Sequence, residues 1–346
     1  MPAKAPKQRS LSFAPSVVRE RIEANFSASV EALKELVTFP GVSAEGFRSK
    51  AIVESAQWLV DACRKAGFSQ VELFELPESA PYIIADLPSD RADAPTVLLY
   101  AHYDVQPFGK KSLWKSPPFE ACEREGRIFG RGTADDKAGV IACLAAVEAI
   151  VQTGARAPVN IRLLLDGEEE RGSPHIKEFL RAKGDALKAD VLIVPDMVNP
   201  AIDQPCVMFS LRGLLEFRVK LTALKRAIHS GLGGGIVPDP TQALAVLYGR
   251  LFDAKGRVKI PGLRSPARRL SPAVLRGLRA LKIKGEDFGL ASGVKLLRKA
   301  PKDHYESVWF SPALTLVGLQ IGERDASPIK FKTNWRPFLV CVCRRK

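Results

Sequence analysis

The sequence predicts an α/β fold in which helices cover a mostly parallel central sheet, followed by a smaller α+β domain. Runs that are apolar throughout are typical of strands buried on both faces, and they occur at residues 96–101, 159–165 and 190–194. Segments with apolar residues at helical spacing separate these runs, at residues 137–154 and near 175–182. Strands that alternate with helices favour parallel pairing, because a helical crossover returns the chain to the same end of the sheet.

Four further elements precede these strands. Apolar residues recur at helical spacing over residues 16–39 and again over residues 49–65, where Gly67 provides a stop signal. Short runs typical of β-structure follow at residues 71–76 and 82–87. The sequence therefore predicts two helices and two strands ahead of the first fully apolar strand.

Changes in pattern predict the domain boundaries. Residues 1–15 are basic and rich in Pro and Ser, which indicates a flexible N-terminus, and residues 16–212 carry the α/β pattern. From Gly213 the run LLEFRVKLTAL alternates as a half-buried strand, and turns rich in Gly and Pro follow, so residues 213–328 are predicted to form the smaller domain. Residues 329–346 form a tail of different character.

Composition limits the classes of function. The net charge of +14 comes largely from Lys and Arg between residues 255 and 302, spaced as on the solvent side of amphipathic helices and without a nucleic-acid motif. No run approaches the roughly 20 apolar residues of a membrane span. The six cysteines show no disulfide framework spacing. We expect a cytoplasmic protein with reduced cysteines and with neither nucleic-acid nor membrane partners.

Side chains that bind metals follow three of the predicted strands, where the ends of parallel strands meet in one crevice. Asp135 and Asp136 add carboxylates just before a helix. Alone, each residue has a structural explanation: a helix cap, a solvated acidic loop, a core histidine or a turn. Together they favour a metal site, because crowded carboxylates repel one another unless a cation joins them. The residues after the strands are His102, Asp104, Glu168, Glu169, Glu170 and Asp196.

Five long motifs carry a resemblance to a known family: LLYAHYDVQP, SLWKSPPFEACEREGRIFGRGTADDKAG, GEEERGSPHI, IVPD and AIHSGLGGG. In this order and spacing, over residues 16–328, the sequence resembles the M20 metallopeptidases. That family includes carnosinase-type dipeptidases, carboxypeptidase G2, acetylornithine deacetylase and succinyl-diaminopimelate desuccinylase. The resemblance implies a zinc-exopeptidase-like catalytic domain and a lid domain through which the chain forms a homodimer.

The resemblance also implies a set of metal ligands. His102 corresponds to the imidazole ligand of the first metal, and Asp104 holds its other ring nitrogen. Asp135 corresponds to the carboxylate that bridges both metals, Asp196 to the remaining ligand of the first metal, and Glu170 to a ligand of the second. The implied cofactor is two Zn²⁺ ions per site, with Mn²⁺ or Co²⁺ as alternatives.

Two catalytic roles complete the implied site. Glu169 corresponds to the general base, which takes a proton from water and returns it to the leaving amine. His229 corresponds to a lid histidine that stabilises the oxyanion, in the family often from the partner subunit. The implied reaction is hydrolysis of a dipeptide or short peptide.

The sequence departs from the family near its end. The family supplies the second metal with a histidine from a final segment, and none of the four histidines lies in such a segment. His175 is interpreted as a helix-start residue, and His304 precedes the last expected strand of the lid. Codons can be chosen for residues 329–338 that also encode, when read one base earlier, a peptide close to the expected strand. We therefore weigh a frameshift in the gene against a genuine but divergent tail. The four histidines are His102, His175, His229 and His304.

This departure predicts a weaker second metal site, because only Asp135 and Glu170 remain to hold that metal, fewer than the usual three protein ligands of a catalytic zinc. We expect one metal to bind better than two, and apolar surface and strand edges to be uncovered. Hydrolysis of dipeptides is the leading hypothesis. Deacylation of N-acyl amino acids and an inactive, metal-binding or dimerising protein are the alternatives.

Overall fold

The computed structural model divides the chain into two compact units, Met1–Met197 and Val198–Lys346. The sequence-predicted boundaries at residues 15, 212 and 328 remain predictions. No helix among the described residues is long and apolar enough to cross a membrane. The structure describes residues 14–154, 157–197, 199, 205–208, 213–217, 219–224, 228–261, 271–273, 276–277, 312–316, 318 and 338–342.

The elements of the first unit follow the predicted order. Ser49 caps the second helix by accepting a hydrogen bond from the backbone N–H of Ile52 (3.4 Å), and Gly67 ends that helix in the left-handed conformation, as its stop signal predicts. The helices are α1 (Pro15–Val37), α2 (Lys50–Ala66), α3 (Lys137–Gln152) and α4 (Ile176–Lys183). The strands are β1 (Gln70–Phe74), β2 (Tyr82–Leu87), β3 (Thr96–His102), β4 (Cys122–Arg124), β5 (Arg127–Phe129), β6 (Asn160–Asp166) and β7 (Val191–Ile193).

The central sheet has five strands in the order β1-β2-β6-β3-β7. Strand β3 pairs in parallel with β6 on one side and with β7 on the other. Strands β1 and β2 pair antiparallel with each other, and β2 pairs antiparallel with β6, so the sheet is mixed and its parallel part is confined to β6, β3 and β7. The carboxyl ends of these three strands therefore lie at the same end of the sheet.

Helices cover both faces of the sheet. On one face α1, α2 and α3 pack on a cluster that includes Ile83 and Leu165, whereas Ile84 and Leu164 pack on the other face against Phe179 of α4. Neighbouring residues enter different clusters because side chains alternate along a strand. This arrangement confirms the prediction for the apolar runs of β3 and β6.

Strand β7 lies at an edge of this sheet. Its residues Val191, Leu192 and Ile193 are 49%, 59% and 47% exposed. This exposure differs from the prediction, because the apolar run of residues 190–194 indicated a strand buried on both faces. It agrees with the separate expectation that apolar surface and strand edges are uncovered.

The second unit contains a three-stranded antiparallel sheet in the order β8-β10-β9. Strand β10 belongs to the tail that differs in character from the rest of the sequence. The strands are β8 (Gly213–Phe217), β9 (Ala313–Thr315) and β10 (Phe338–Val342), and the described helices are α5 (Ser230–Gly233) and α6 (Pro240–Arg250).

Candidate metal centre

His102 ends β3 and is completely buried. Its Nδ1 lies 3.1 Å from the carbonyl oxygen of Asp104 and 3.3 Å from Oδ1 of the same residue. Its Nε2 faces the opposite way, 3.1 Å from Oδ1 of Asp135. Oxygen acceptors beside Nδ1 favour the tautomer that keeps the proton on Nδ1 and leaves the Nε2 lone pair free for a cation.

Carboxylates from three other segments surround Nε2. Asp135 lies ahead of α3, Glu169 follows β6, with its Oε2 3.7 Å from Nε2, and Asp196 follows β7, with its Oδ2 3.6 Å from Nε2. The parallel register of β6, β3 and β7 brings these residues together, as predicted. Two sets of potential ligand atoms lie within 4.8 Å of one another: those of His102, Asp135 and Glu170, and those of His102, Asp136 and Asp196.

Asp104 connects the histidine to the glutamate pair. Its side chain is completely buried, Oδ1 accepts a hydrogen bond from the backbone N–H of Glu169 (3.1 Å), and Oδ2 accepts one from the N–H of Glu170 (3.2 Å). These two residues open the 3₁₀ turn Glu169–Arg171 that follows β6. One buried carboxylate therefore sets the position of both the imidazole and the turn.

Burial and mutual repulsion shift the pKa values at this site. Burial raises the pKa of Asp136 to about 7, with a contribution from the charge of Asp196. Burial, followed by neighbouring charges, also raises the pKa values of Glu169, Glu170 and Asp196. Burial lowers the pKa of His102, but its hydrogen bond to Asp104 and the surrounding carboxylates outweigh this and raise it to about 10. The raised pKa values mean that the folded chain disfavours the ionised carboxylates, and a cation at the site would favour them.

The donors present fit a divalent cation. Oδ1 of Asp136 is buried and makes no hydrogen bond to the described residues, so this charged oxygen lacks a partner. One imidazole nitrogen and several carboxylate oxygens form the kind of ligand set that zinc takes in catalytic sites. The same donors suit Mn²⁺, because oxygen ligands predominate.

Two residues of this centre were not assigned by the sequence. Asp136 occupies the N-cap position of α3, the structural alternative weighed above, but its side chain makes no capping bond and instead accepts from the backbone N–H of His102 (3.1 Å). The side-chain amide of Gln106 donates to Oε2 (2.6 Å) and to the carbonyl (3.2 Å) of Glu170. Gln106 lies in the motif LLYAHYDVQP, and that motif could have identified it as a residue of the site.

The remaining three histidines are not among the potential ligand groups of this centre in the part of the chain that the structure describes. His175 is the N-cap residue of α4, as expected of a helix-start residue. His229 belongs to the second unit, is exposed, and caps α5 by accepting a hydrogen bond from the backbone N–H of Gly231 (3.0 Å). His304 lies outside the described residues.

Comparisons with known proteins agree on one family. Residues 98–317 match the model of peptidase family M20/M25/M40. The chain is 31% identical over 283 residues to the cysteinylglycine-S-conjugate dipeptidase of Corynebacterium striatum, covering 81% of this chain and 59% of that protein. It is 29% identical over 304 residues to the Cys-Gly metallodipeptidase dug1 of Schizosaccharomyces pombe, covering 84% of this chain and 63% of that protein.

Solved structures show the same fold. The structure of the dipeptidase Dug1p of Saccharomyces cerevisiae aligns with a TM-score of 0.70 and 23% identity, covering 96% of this chain and 73% of that chain. At this identity the similarity shows the fold alone. The chain spans less than two thirds of the length of the two curated relatives described above.

We predict that zinc stabilises the folded chain. At a free zinc concentration of about 100 times the dissociation constant, the free energy of unfolding should rise by about 2.7 kcal/mol, because only the folded state brings the ligands together. Asp135→Asn should reduce this gain, since it removes a charged donor 3.1 Å from His102. Urea unfolding with and without zinc measures the effect.

The matched control is Asp185→Asn, which removes the charge of an exposed carboxylate that pairs with exposed Lys188. This variant should gain as much stability from zinc as the unaltered chain. An equal gain for Asp135→Asn would contradict the assignment of the centre.

Proposed function

We propose, because the chain belongs to peptidase family M20/M25/M40, that it hydrolyses the amide bond of dipeptides or short peptides at a zinc centre. The observation that carries the proposal is the position of Glu169, whose carboxylate lies beside His102 Nε2 among the potential metal ligands. That arrangement unites a metal site with a proton acceptor, as amide hydrolysis requires.

We assign the metal-binding residues as the family resemblance implies. His102, Asp135 and Asp196 would hold the first ion, and Asp135 and Glu170 would hold the second. Zinc bound there would lower the pKa of a water and polarise the scissile carbonyl. Two groups of potential ligands among the described residues support this assignment, since His102 lies with Asp135 and Glu170 in one and with Asp136 and Asp196 in the other.

Glu169 is proposed as the general base. Its side chain is 41% exposed, so substrate and water can reach it, and burial with nearby negative charge raises its pKa. A raised pKa makes a carboxylate a better proton acceptor near neutral pH. Glu169 would take the proton of the attacking water and give it to the leaving amine.

His229 is proposed to stabilise the oxyanion from the second domain. In a homodimer formed through that domain, the imidazole could come from either subunit. Its exposure supports the assignment, because the ring is free to meet a substrate. We place this homodimer in the cytoplasm.

The substrate class rests on the relatives and on the HYDVQP motif. Both curated relatives described above are named as dipeptidases. An inactive, metal-binding protein is the second candidate, because the described residues offer the second ion only two of its expected ligands. Deacylation of N-acyl amino acids is the alternative reaction, and rates on dipeptides against acetyl- and succinyl-amino acids separate the two.

We predict that Glu169→Gln abolishes hydrolysis but keeps zinc binding. The amide cannot accept the proton, so kcat on a dipeptide should fall by about 10²-fold to 10⁴-fold. Glu178→Gln, which alters an exposed residue of α4, is the control and should leave kcat unchanged. A zinc-loaded chain without turnover would support the inactive protein, and faster release of acyl groups than of amino acids would support the deacylase.

We predict that His229→Asn lowers kcat by about 10²-fold, as removal of one oxyanion donor does. Asparagine is itself a preferred N-cap residue, so the start of α5 and the unfolding midpoint should be preserved. Zinc affinity should also be unchanged. A kcat within twofold of the unaltered chain would remove His229 from the mechanism.

A further inference from the structure

Glu168 precedes the proposed catalytic pair, but its side chain is completely buried, whereas the Glu169 side chain is 41% exposed. We infer that Glu168 is a positioning residue, whose carboxylate fixes the turn that presents Glu169 and Glu170. The inference rests on the proposed function and extends it to a residue outside the proposed metal ligands and catalytic residues.

The Glu168 carboxylate receives four hydrogen bonds. Oε1 accepts from the backbone N–H of Ala80 (2.8 Å) and lies 2.9 Å from Nδ1 of His175. Oε2 accepts from the hydroxyl of Tyr82 (3.1 Å) and from the backbone N–H of His175 (3.3 Å). A buried carboxylate with this number of donors is held in one orientation, because leaving any donor unpaired is unfavourable.

These donors come from two separate elements. Tyr82 is the first residue of β2, Ala80 lies two residues before it, and His175 is the N-cap of α4. His175 also packs edge-on against Phe47, with ring centroids 5.7 Å apart. The Glu168 side chain is therefore anchored to rigid parts of the fold.

Backbone hydrogen bonds connect Glu168 to the turn that follows it. Its N–H donates to Oδ1 of Asp166 (2.8 Å), and its carbonyl accepts from the N–H groups of Arg171 (2.9 Å) and Ser173 (3.0 Å). Asp104 holds the Glu169 and Glu170 amides from the other side. The turn is thus fixed between two buried carboxylates, and loss of one would let the glutamate pair shift.

A purely structural role and a positioning role predict different results. If Glu168 only stabilises the fold, its replacement lowers the free energy of unfolding but leaves zinc affinity and kcat of the folded protein unchanged. If it positions the turn, folded protein binds zinc more weakly and turns over more slowly, since misplacement by about 1 Å can lower the rate by about 10²-fold.

The test compares Glu168→Gln, Tyr82→Phe and the control Glu178→Gln. Zinc dissociation constants come from calorimetric titration, and kcat and KM from hydrolysis of a dipeptide. Glutamine retains the shape of Glu168 but presents an N–H₂ group where one oxygen accepted hydrogen bonds. We expect Glu168→Gln to weaken zinc binding and lower kcat by about 10-fold or more, in the range seen for outer partners of metal ligands, with KM within twofold.

Tyr82→Phe removes a single hydroxyl and leaves the ring stacked on Phe179. It should change zinc affinity and kcat in the same direction by a smaller factor, and it decides the question if Glu168→Gln fails to fold. Zinc affinity and kcat within twofold of the control, in folded variants, would overturn the inference.

Different results would refute the proposed hydrolysis and the positioning role of Glu168. An unaltered chain that binds zinc but hydrolyses no dipeptide would refute the proposed function, while the ratio of zinc dissociation constants would still decide the role of Glu168. An unaltered chain that binds no zinc would overturn both proposals.

Discussion

The site depends on the buried carboxylate of Asp104. It lies against the His102 ring and accepts hydrogen bonds from the amides of Glu169 and Glu170, so it links the end of β3 to the turn after β6. Removing this side chain would leave the backbone N–H groups of Glu169 and Glu170 without their acceptor, whereas Nδ1 of His102 would keep the carbonyl oxygen of Asp104. This carboxylate therefore fixes the imidazole relative to the turn, while Asp135 and Asp196 are positioned by the segments before α3 and after β7.

The same site carries an electrostatic penalty. Burial and crowding raise the pKa values of Asp136, Glu169, Glu170 and Asp196, which means that the ionised site destabilises the folded chain without a cation. A divalent ion would reverse this effect by providing the missing positive charge. A divalent ion at this site would therefore affect both the stability of the fold and the proposed activity.

The sequence predicted the elements that position the centre, because apolar runs mark β3, β6 and β7, and His102, the glutamates and Asp196 lie at or just after their carboxyl ends. The apolar run of β7 did not reveal that this strand is exposed. The sequence did not show that β1 and β2 run antiparallel, since a short apolar run has no direction. The sequence also contains no signal that distinguishes the role of Glu168 from the roles of Glu169 and Glu170. Only the geometry of the turn buries the first glutamate and directs the other two toward the site.

X-ray absorption at the zinc edge, on the chain loaded with one equivalent of zinc, identifies the atoms that bind the ion. For a centre of His102 and carboxylates we expect nitrogen and oxygen ligands at about 2.0 to 2.2 Å, with an imidazole contribution and no sulfur. Sulfur ligands at about 2.3 Å would place zinc on cysteine, and absence of imidazole scattering would exclude His102. Either result would contradict a centre built on His102 and its surrounding carboxylates.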